Sequence, residues 1–136
     1  MYAASRAIMR TYRDRLEPLG ISYTQYLVLI VLWEKNCRTI SELGNRLRLD
    51  SGTLTPLLKR MEIAGFVERH RRQADEREVE VHLTSAGRSI KTAVAGAREH
   101  VVKRLGMSSA QIMALRQELM DVVEHLDRMG ETTPDS

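Results

Sequence analysis

The chain has 136 residues, of which 43% are hydrophobic and 29% charged, and its formal net charge is +3. This length suits one domain with a buried core, and the longest apolar run, Leu27 to Trp33, is too short to cross a membrane. A single cysteine, Cys37, excludes an internal disulfide and a multi-cysteine zinc site. With no secretory signal at Met1–Arg6, these features predict a protein of the reducing cytoplasm.

The first quarter of the chain predicts two helices. Residues 3–16 carry apolar side chains at helical spacing, and Glu17–Gly20 ends that pattern. A second helix is predicted over Thr24–Glu34, with Thr24 as its N-cap. Since this segment is apolar around most of its circumference, we expect it at the centre of the domain.

Two short helices follow, joined by three or four residues. Thr39 and Glu42 form a capping-box pattern before the first of them, Ile40–Leu47. The second runs from Ser51, with Asp50 or Ser51 as its cap, to about Ala64 and is ended by Gly65. Its apolar stripe lies opposite small polar and basic residues, a pattern typical of a helix-turn-helix. The stripe consists of Leu54, Leu57, Leu58 and Met61.

A strand pattern replaces the helical one after Gly65. Residues 78–83 alternate polar and apolar side chains, and the charged segment His70–Arg77 separates them from Phe66–Arg69. This order predicts a β-hairpin wing directly after the helix-turn-helix.

The last third predicts two long helices. Thr84–Gly87 begins a helical stretch to Leu105, Gly106–Met107 interrupts it, and Ser108 caps a helix from Ser109 to about Met129. Because little of the domain is left for these helices to cover, we expect them to pair with a second copy. The fold class is mainly α with a small β-hairpin wing (α+β), in the order α-α-α-α-β-β-α-α. The apolar stripe of the last helix is formed by Ile112, Leu115, Leu119, Val122, Val123 and Leu126.

The helix-turn-helix and wing carry a family resemblance. Leu49–Glu62, followed by Gly65, Asp75–Arg77 and Val81–Thr84, resembles the MarR family of winged-helix regulators. Three further segments are similar to its branch that senses organic hydroperoxides, the OhrR-like repressors. The resemblance covers residues 2 to about 125, and the three segments are Tyr2–Arg6, Tyr23–Leu27 and Leu32–Glu34.

The resemblance implies one MarR-type domain over residues 1–129, followed by a flexible tail at 130–136. Residues 1–20 and 85–129 would form dimerisation helices, and residues 24–84 the DNA-binding winged helix. The implied function is a homodimeric repressor of a pseudo-palindromic operator in double-stranded DNA, released by organic hydroperoxide. Such a protein is not an enzyme and needs no cofactor.

The sensor of those relatives is a cysteine on the first helix, four residues before the position matching Tyr2. The tyrosines that hydrogen-bond its sulfur match Tyr2 and Tyr12, so these two are the implied sensor-pocket residues. Since this sequence begins one residue before Tyr2, we expect the native chain to extend upstream and to carry that cysteine.

The DNA-contacting residues are expected in two places. On the second short helix, hydroxyl groups reach phosphates or base edges, a glycine leaves room, a proline ring meets a thymine methyl, and two cations contact phosphates or guanine. These residues are Ser51, Gly52, Thr53, Thr55, Pro56, Lys59 and Arg60.

In the wing, the resemblance implies that Arg77 enters the minor groove and that Asp75 orients an arginine. Arg71 and Arg72 are further candidate DNA contacts. An ordinary solvated helix and a mixed-charge hairpin are the alternatives for these two elements.

Other functional chemistry has little support. Lys35 and Arg38 could lower the pKa of Cys37, which makes it a candidate redox residue, although an inert thiol is the alternative. The four histidines show no ligand spacing, so no metal site is predicted, although a dimer could assemble one. The histidines are His70, His82, His100 and His125.

Three other functions stay open. A MarR-type repressor could be released by a phenolic or other aromatic small ligand instead of a peroxide. A non-specific architectural DNA binder is disfavoured by the net charge of only +3, because such binding depends on neutralising many phosphates. A protein-interaction module would leave the basic residues between 51 and 77 without a role.

Overall fold

The computed structural model describes residues 1–72 and 75–130, and only the backbone of residues 75–77. Residues 131–136, most of the tail predicted to be flexible, lie outside the described residues. The predicted fold class is confirmed: the chain is mainly helical with a small antiparallel sheet. The helices are α1 (Tyr2–Leu16), α2 (Tyr23–Glu34), α3 (Ile40–Leu47), α4 (Ser51–Ile63), α5 (Ser85–Ser89), α6 (Lys91–Leu105) and α7 (Ser109–Gly130), with a 3-10 turn at Glu17–Leu19; the strands are β1 (Arg38–Thr39), β2 (Val67–Arg72) and β3 (Asp75–Leu83).

The chain divides into two compact units, Met1–Val101 and Val102–Ser136. Among the described residues no single helix is long and apolar enough to cross a membrane. The segments Tyr2–Leu19 and Tyr23–Glu34 meet the length and composition criteria only when taken together, and they are bent by 78° relative to each other.

Helix α2 lies at the centre of the first unit, as predicted. Its N-cap is Ser22 and not Thr24, because Ser22 is extended and forms a complete capping box with Gln25. The Gln25 amide donates to Ser22 Oγ at 3.2 Å, and the Ser22 amide donates to Gln25 Oε1 at 3.1 Å. Five side chains of α2 enter the core: Tyr26, Val28, Leu29, Val31 and Leu32.

The predicted helix-turn-helix is present in α3 and α4. Thr39 caps α3 by accepting from the Glu42 amide at 3.1 Å. Arg48 has a left-handed backbone (φ 55°) and ends that helix. The connection passes so close to Gly44 that a Cβ there would lie 2.8 Å from the Leu49 carbonyl oxygen, which explains the glycine. Asp50 then caps α4.

The wing is a three-stranded sheet in the order β1-β3-β2, with both pairings antiparallel. The hairpin β2–β3 was predicted, but β1 was missed because two residues carry no periodicity. Val67, Val81 and Leu83 face the core. The side chains that alternate with them on β3 therefore form the outer face of the sheet.

The helical stretch after the wing is interrupted once, which the sequence did not predict. Ile90 separates α5 from α6 because its ψ of −14° falls short of the helical value of about −42°. The middle of α5 is held to the core, since Trp33 Nε1 donates to the Gly87 carbonyl oxygen at 2.9 Å. Helix α7 begins at the predicted cap, where the Gln111 amide donates to Ser108 Oγ at 3.1 Å.

Candidate nucleic-acid interface

Helix α4 separates its residues into two faces. Leu54, Leu57, Leu58 and Met61 are buried in the core. Every residue of α4 predicted to contact DNA lies on the other side, where Thr55 is partly exposed and the rest are exposed. The exposed set is Ser51, Gly52, Thr53, Pro56, Lys59 and Arg60.

The beginning of α4 is fixed by a carboxylate. Asp50 Oδ1 accepts a hydrogen bond from the Thr53 amide at 2.7 Å. Hydrogen bonds from the backbone of Thr53 are the main reason that the pKa of Asp50 lies below its ordinary value. The cap orients the first turn of α4, which carries the hydroxyl groups of Ser51 and Thr53.

The end of α4 is tied to the wing. Glu62 Oε2 accepts from the Arg69 amide at 2.9 Å, and Glu62 Oε1 accepts from Arg69 Nη2 at 3.1 Å. These hydrogen bonds lower the pKa of Glu62. Because Arg69 belongs to β2, the ion pair fixes the orientation of the wing relative to α4. The sequence did not predict this contact, because Glu62 and Arg69 are seven residues apart and Gly65 separates the helix from the strand.

The basic residues of the wing do not share one environment. Arg71 is exposed. Arg72 instead donates to Glu78 at 2.9 Å and to Glu80 across the sheet, and these hydrogen bonds raise its pKa. Arg72 is thus engaged within the wing. The side chains of Asp75 and Arg77 lie outside the described residues, and their backbone forms the start of β3.

The two tyrosines of the implied sensor pocket are far apart within one chain. Tyr2 is 77% exposed, and its ring lies 5.5 Å from the Arg6 guanidinium. Ten positions of α1 separate it from Tyr12, which corresponds to about 15 Å along a helix axis. Tyr12 is half-buried against Tyr23 and Tyr26, with ring centroids 5.1 and 5.5 Å away.

This tyrosine cluster was only partly predicted. Tyr26 was assigned to the core helix, whereas Tyr23 fell just before its predicted start at Thr24. The three-residue spacing of the two tyrosines on α2 is the signal for a shared face. Burial raises the pKa of all three phenols, including that of Tyr12.

Cys37 lies outside the tyrosine cluster, in a left-handed backbone conformation (φ 66°) just before β1. Its thiol donates to Glu80 Oε2 at 3.3 Å. Burial and the Glu80 carboxylate raise the pKa of Cys37, with Arg72 opposing them. The lowering expected from Lys35 and Arg38 is therefore not found, and the thiol is stabilised in its protonated form.

A cleft of about 680 Å³ lies beside α1 and the start of α2. Two arginines from different elements, Arg13 and Arg60, line it together with Glu17 and Tyr23. Arg60 also belongs to the exposed face of α4, so the cleft reaches the candidate DNA-contacting surface.

A family model described as transcriptional regulator SarA/Rot matches residues 10–94. The chain belongs to this family. The HTH-type transcriptional regulator TtmR of Methylorubrum extorquens is 44% identical over 133 residues, which are 97% of this chain and 68% of TtmR. The organic hydroperoxide resistance transcriptional regulator of Bacillus subtilis is 38% identical over 126 residues, or 93% of this chain and 86% of that protein.

Among solved structures, reduced AbfR bound to DNA superposes with a TM-score of 0.79 at 38% identity, covering 92% of this chain and 87% of AbfR. The resemblance to MarR-type regulators of the hydroperoxide branch is thereby confirmed. This SarA/Rot-family chain is a helix-turn-helix transcriptional regulator. Its relatives are regulators and not enzymes, as the sequence predicted.

Proposed function

We propose that this regulator binds a pseudo-palindromic operator as a homodimer, with α4 of each copy in the major groove. The observation that carries this proposal is the polar and basic face of α4. Asp50 caps one end of the helix, and the ion pair between Glu62 and Arg69 ties the other end to the wing. The helix in the major groove and the wing in the minor groove are thereby held in one orientation. We also assign the protein to the cytoplasm.

The homodimer is supported by the apolar stripe of α7. None of the residues of Ser109–Gly130 is buried, although Leu119 and Leu126 follow helical spacing on one side. A second copy would cover this stripe. Two α4 helices would then contact half-sites about 10 base pairs apart, in agreement with the symmetry of a palindrome.

The test uses the full chain and a duplex selected from a random library, with a shuffled duplex as comparison. At physiological salt we expect the selected duplex to bind at least about 1,000-fold more tightly. Arg60→Ala and Lys59→Ala should weaken binding, whereas Arg116→Ala, on α7, serves as the control. Equal affinity for both duplexes would instead identify an architectural binder.

Oxidation by organic hydroperoxides is our proposed release signal. It is supported by the 38% identity to the Bacillus subtilis hydroperoxide resistance regulator. The redox forms named for AbfR also support it: reduced and overoxidized AbfR are bound to DNA, and a disulfide-formed AbfR is a separate structure. Cys37 is the single thiol of the 136 residues. Since the thiolate is the reactive form, its raised pKa predicts slow oxidation through this residue at neutral pH.

Cumene hydroperoxide added to the protein–operator complex tests this signal. Because Cys37 is the single thiol of the 136 residues and oxidises slowly, we expect slow release that dithiothreitol reverses, and we expect the Cys37→Ser variant to stay bound. No release from the unmutated chain would contradict the proposal. Release from Cys37→Ser would show that a group other than this thiol carries the response.

A small aromatic carboxylate is a second candidate signal, favoured by the cleft beside α1. Arg13 and Arg60 supply two cations for an anionic ligand, and Tyr23 supplies an aromatic wall. Salicylate should then release the operator without dithiothreitol reversal, and Arg13→Ala should abolish the effect while Arg116→Ala leaves it unchanged. If salicylate releases both variants equally, the cleft is not its site.

A further inference from the structure

The outer face of the wing carries a cluster of three different ligand types. Cys37 Sγ lies 3.3 Å from Glu80 Oε2 and 3.6 Å from His82 Nε2, and the last two atoms are 3.1 Å apart. All three ligand atoms lie within 4.8 Å of one another. Pairing of β1 with β3 creates this proximity, because Cys37 immediately precedes β1 while Glu80 and His82 alternate with buried residues on β3.

These distances match those between the ligands of a tetrahedral zinc ion. With Zn–S of about 2.3 Å and Zn–N and Zn–O of about 2.0 Å, the edges of the tetrahedron are about 3.5 Å for S–O and S–N and about 3.3 Å for N–O. The observed edges, 3.3, 3.6 and 3.1 Å, agree within about 0.2 Å.

We propose that Cys37, Glu80 and His82 bind a zinc ion through Sγ, Oε2 and Nε2, with water as the fourth ligand. A mixed set of thiolate, imidazole and carboxylate favours zinc over magnesium or calcium, which prefer oxygen ligands alone. On binding, the Sγ–H bond breaks, the thiolate sulfur donates its electron pair to the metal, and the proton passes to solvent. No oxidant or reductant takes part.

The surroundings of the cluster orient the carboxylate. Arg72 donates to Glu80 Oε1, so Oε2 is the oxygen turned toward Cys37 and His82. Such an outer hydrogen bond is typical of metal-ligating side chains. The rings of His70 and His82 pack at a steep angle, with centroids 5.2 Å apart.

The charges of the site also favour a cation. A thiolate at Cys37 and the carboxylate of Glu80 together balance the two charges of zinc. Arg72 is balanced separately by Glu78, at 2.9 Å. With both anions in place, a divalent metal leaves the site electrically neutral.

The experiment is a zinc titration of the full chain, stripped with EDTA and kept reduced, against a chromophoric chelator. We expect one zinc per chain. Cobalt in place of zinc should give a thiolate-to-cobalt charge-transfer band, for which Cys37 is the single available thiol. Because loss of an outer-shell partner alone weakens metal sites about 10–100-fold, Cys37→Ser, Glu80→Gln and His82→Gln should each weaken zinc binding at least about 10-fold.

The matched control is His125→Gln, which removes an exposed histidine of α7 and should leave the zinc affinity unchanged. Circular dichroism of each metal-free variant identifies misfolding, and the cobalt spectrum of the unmutated chain needs no variant at all. Absence of the charge-transfer band, or equal zinc affinity in Cys37→Ser and the unmutated chain, would overturn the site. Neither readout involves DNA, so the result is independent of the proposed operator binding.

Discussion

The two compact units of this regulator use their apolar residues in opposite ways. In Met1–Val101 the stripes of α2 and α4 are buried, with Leu29, Leu54 and Leu58 fully inaccessible. In α7, a 22-residue helix, Leu126 is 63% exposed. The first unit therefore completes a core with its own residues, whereas no residue of α7 is buried.

In the proposed function, this difference separates two roles, DNA contact and self-association. A DNA-contacting helix has to keep its orientation in every copy, so its support comes from the same chain. An isolated amphipathic helix is marginally stable in water, and dimerisation would add the missing burial for α7. Stability of the first unit and self-association should consequently respond to different substitutions.

The largest change in stability is expected from Leu58→Ala, which alters the buried stripe of the first unit. Leu58 is fully buried under α4, and its truncation leaves a cavity that should lower the free energy of unfolding by about 2–5 kcal/mol. Ile63→Ala, in the same helix but at an 86% exposed position, should change it by less than about 0.5 kcal/mol. Urea unfolding followed by circular dichroism measures both, and equal effects would contradict the assigned core face.

The next largest effect is expected on self-association through α7. The double variant Leu119→Asp, Leu126→Asp places two charges on the apolar stripe and should raise the dimer dissociation constant at least about 100-fold. The control Ala114→Asp, His125→Asp adds the same residues on the polar side. Sedimentation equilibrium measures the dissociation constant. If the dimer survives Leu119→Asp, Leu126→Asp and is lost in Ala114→Asp, His125→Asp, the interface does not include the apolar stripe of α7.

A smaller effect is expected at the cap of α3. Thr39 Oγ1 accepts from the Glu42 amide, and Thr39 is 5% exposed. Thr39→Ala should cost about 1 kcal/mol of unfolding free energy because that amide loses its partner. Thr39→Ser retains the oxygen and should recover most of the loss. If serine and alanine destabilise equally, packing of the methyl group and not the cap is responsible.

The helix-turn-helix, which neighbouring residues encode, was predicted correctly. Helices α3 and α4 have their caps, stripes and stop residues within a few positions of one another, so the helix-turn-helix and its exposed face followed from the sequence. The cluster on the wing did not, because Cys37 lies 43 positions before Glu80 and 45 before His82. Spacing rules examine close neighbours, and β1, the strand that joins these residues, is too short to be detected.

The difference between local and long-range signals also explains why the two implied sensor residues do not lie together. Tyr2 and Tyr12 were grouped by resemblance alone, and the rise of α1 separates them within one chain. Tyr12 instead meets Tyr23 across the packing of α1 on α2, a contact that depends on the angle between two helices. No local pattern specifies that angle.

The smallest effect, and the one that tests how α4 is joined to the wing, is expected from Glu62→Gln. The Glu62 carboxylate accepts from the side chain and the amide of Arg69, and both contacts hold its pKa below the ordinary 4.5. A depressed folded-state pKa means that this stabilisation is complete above pH 4.5 and is lost as the pH falls through the lowered value. Because Glu62 is partly exposed, solvent screening keeps the effect below that of Thr39→Ala.

The measurement compares urea unfolding midpoints of the unmutated chain and Glu62→Gln at neutral and acidic pH. The two should differ at neutral pH and converge well below pH 4.5, where the carboxyl group of the unmutated chain is protonated too. A difference that persists in acid would mean that the ion pair is not its source. Operator affinity provides the second readout: weaker binding by Glu62→Gln, with α4 itself unchanged, would show that the helix and the wing act on DNA as one unit.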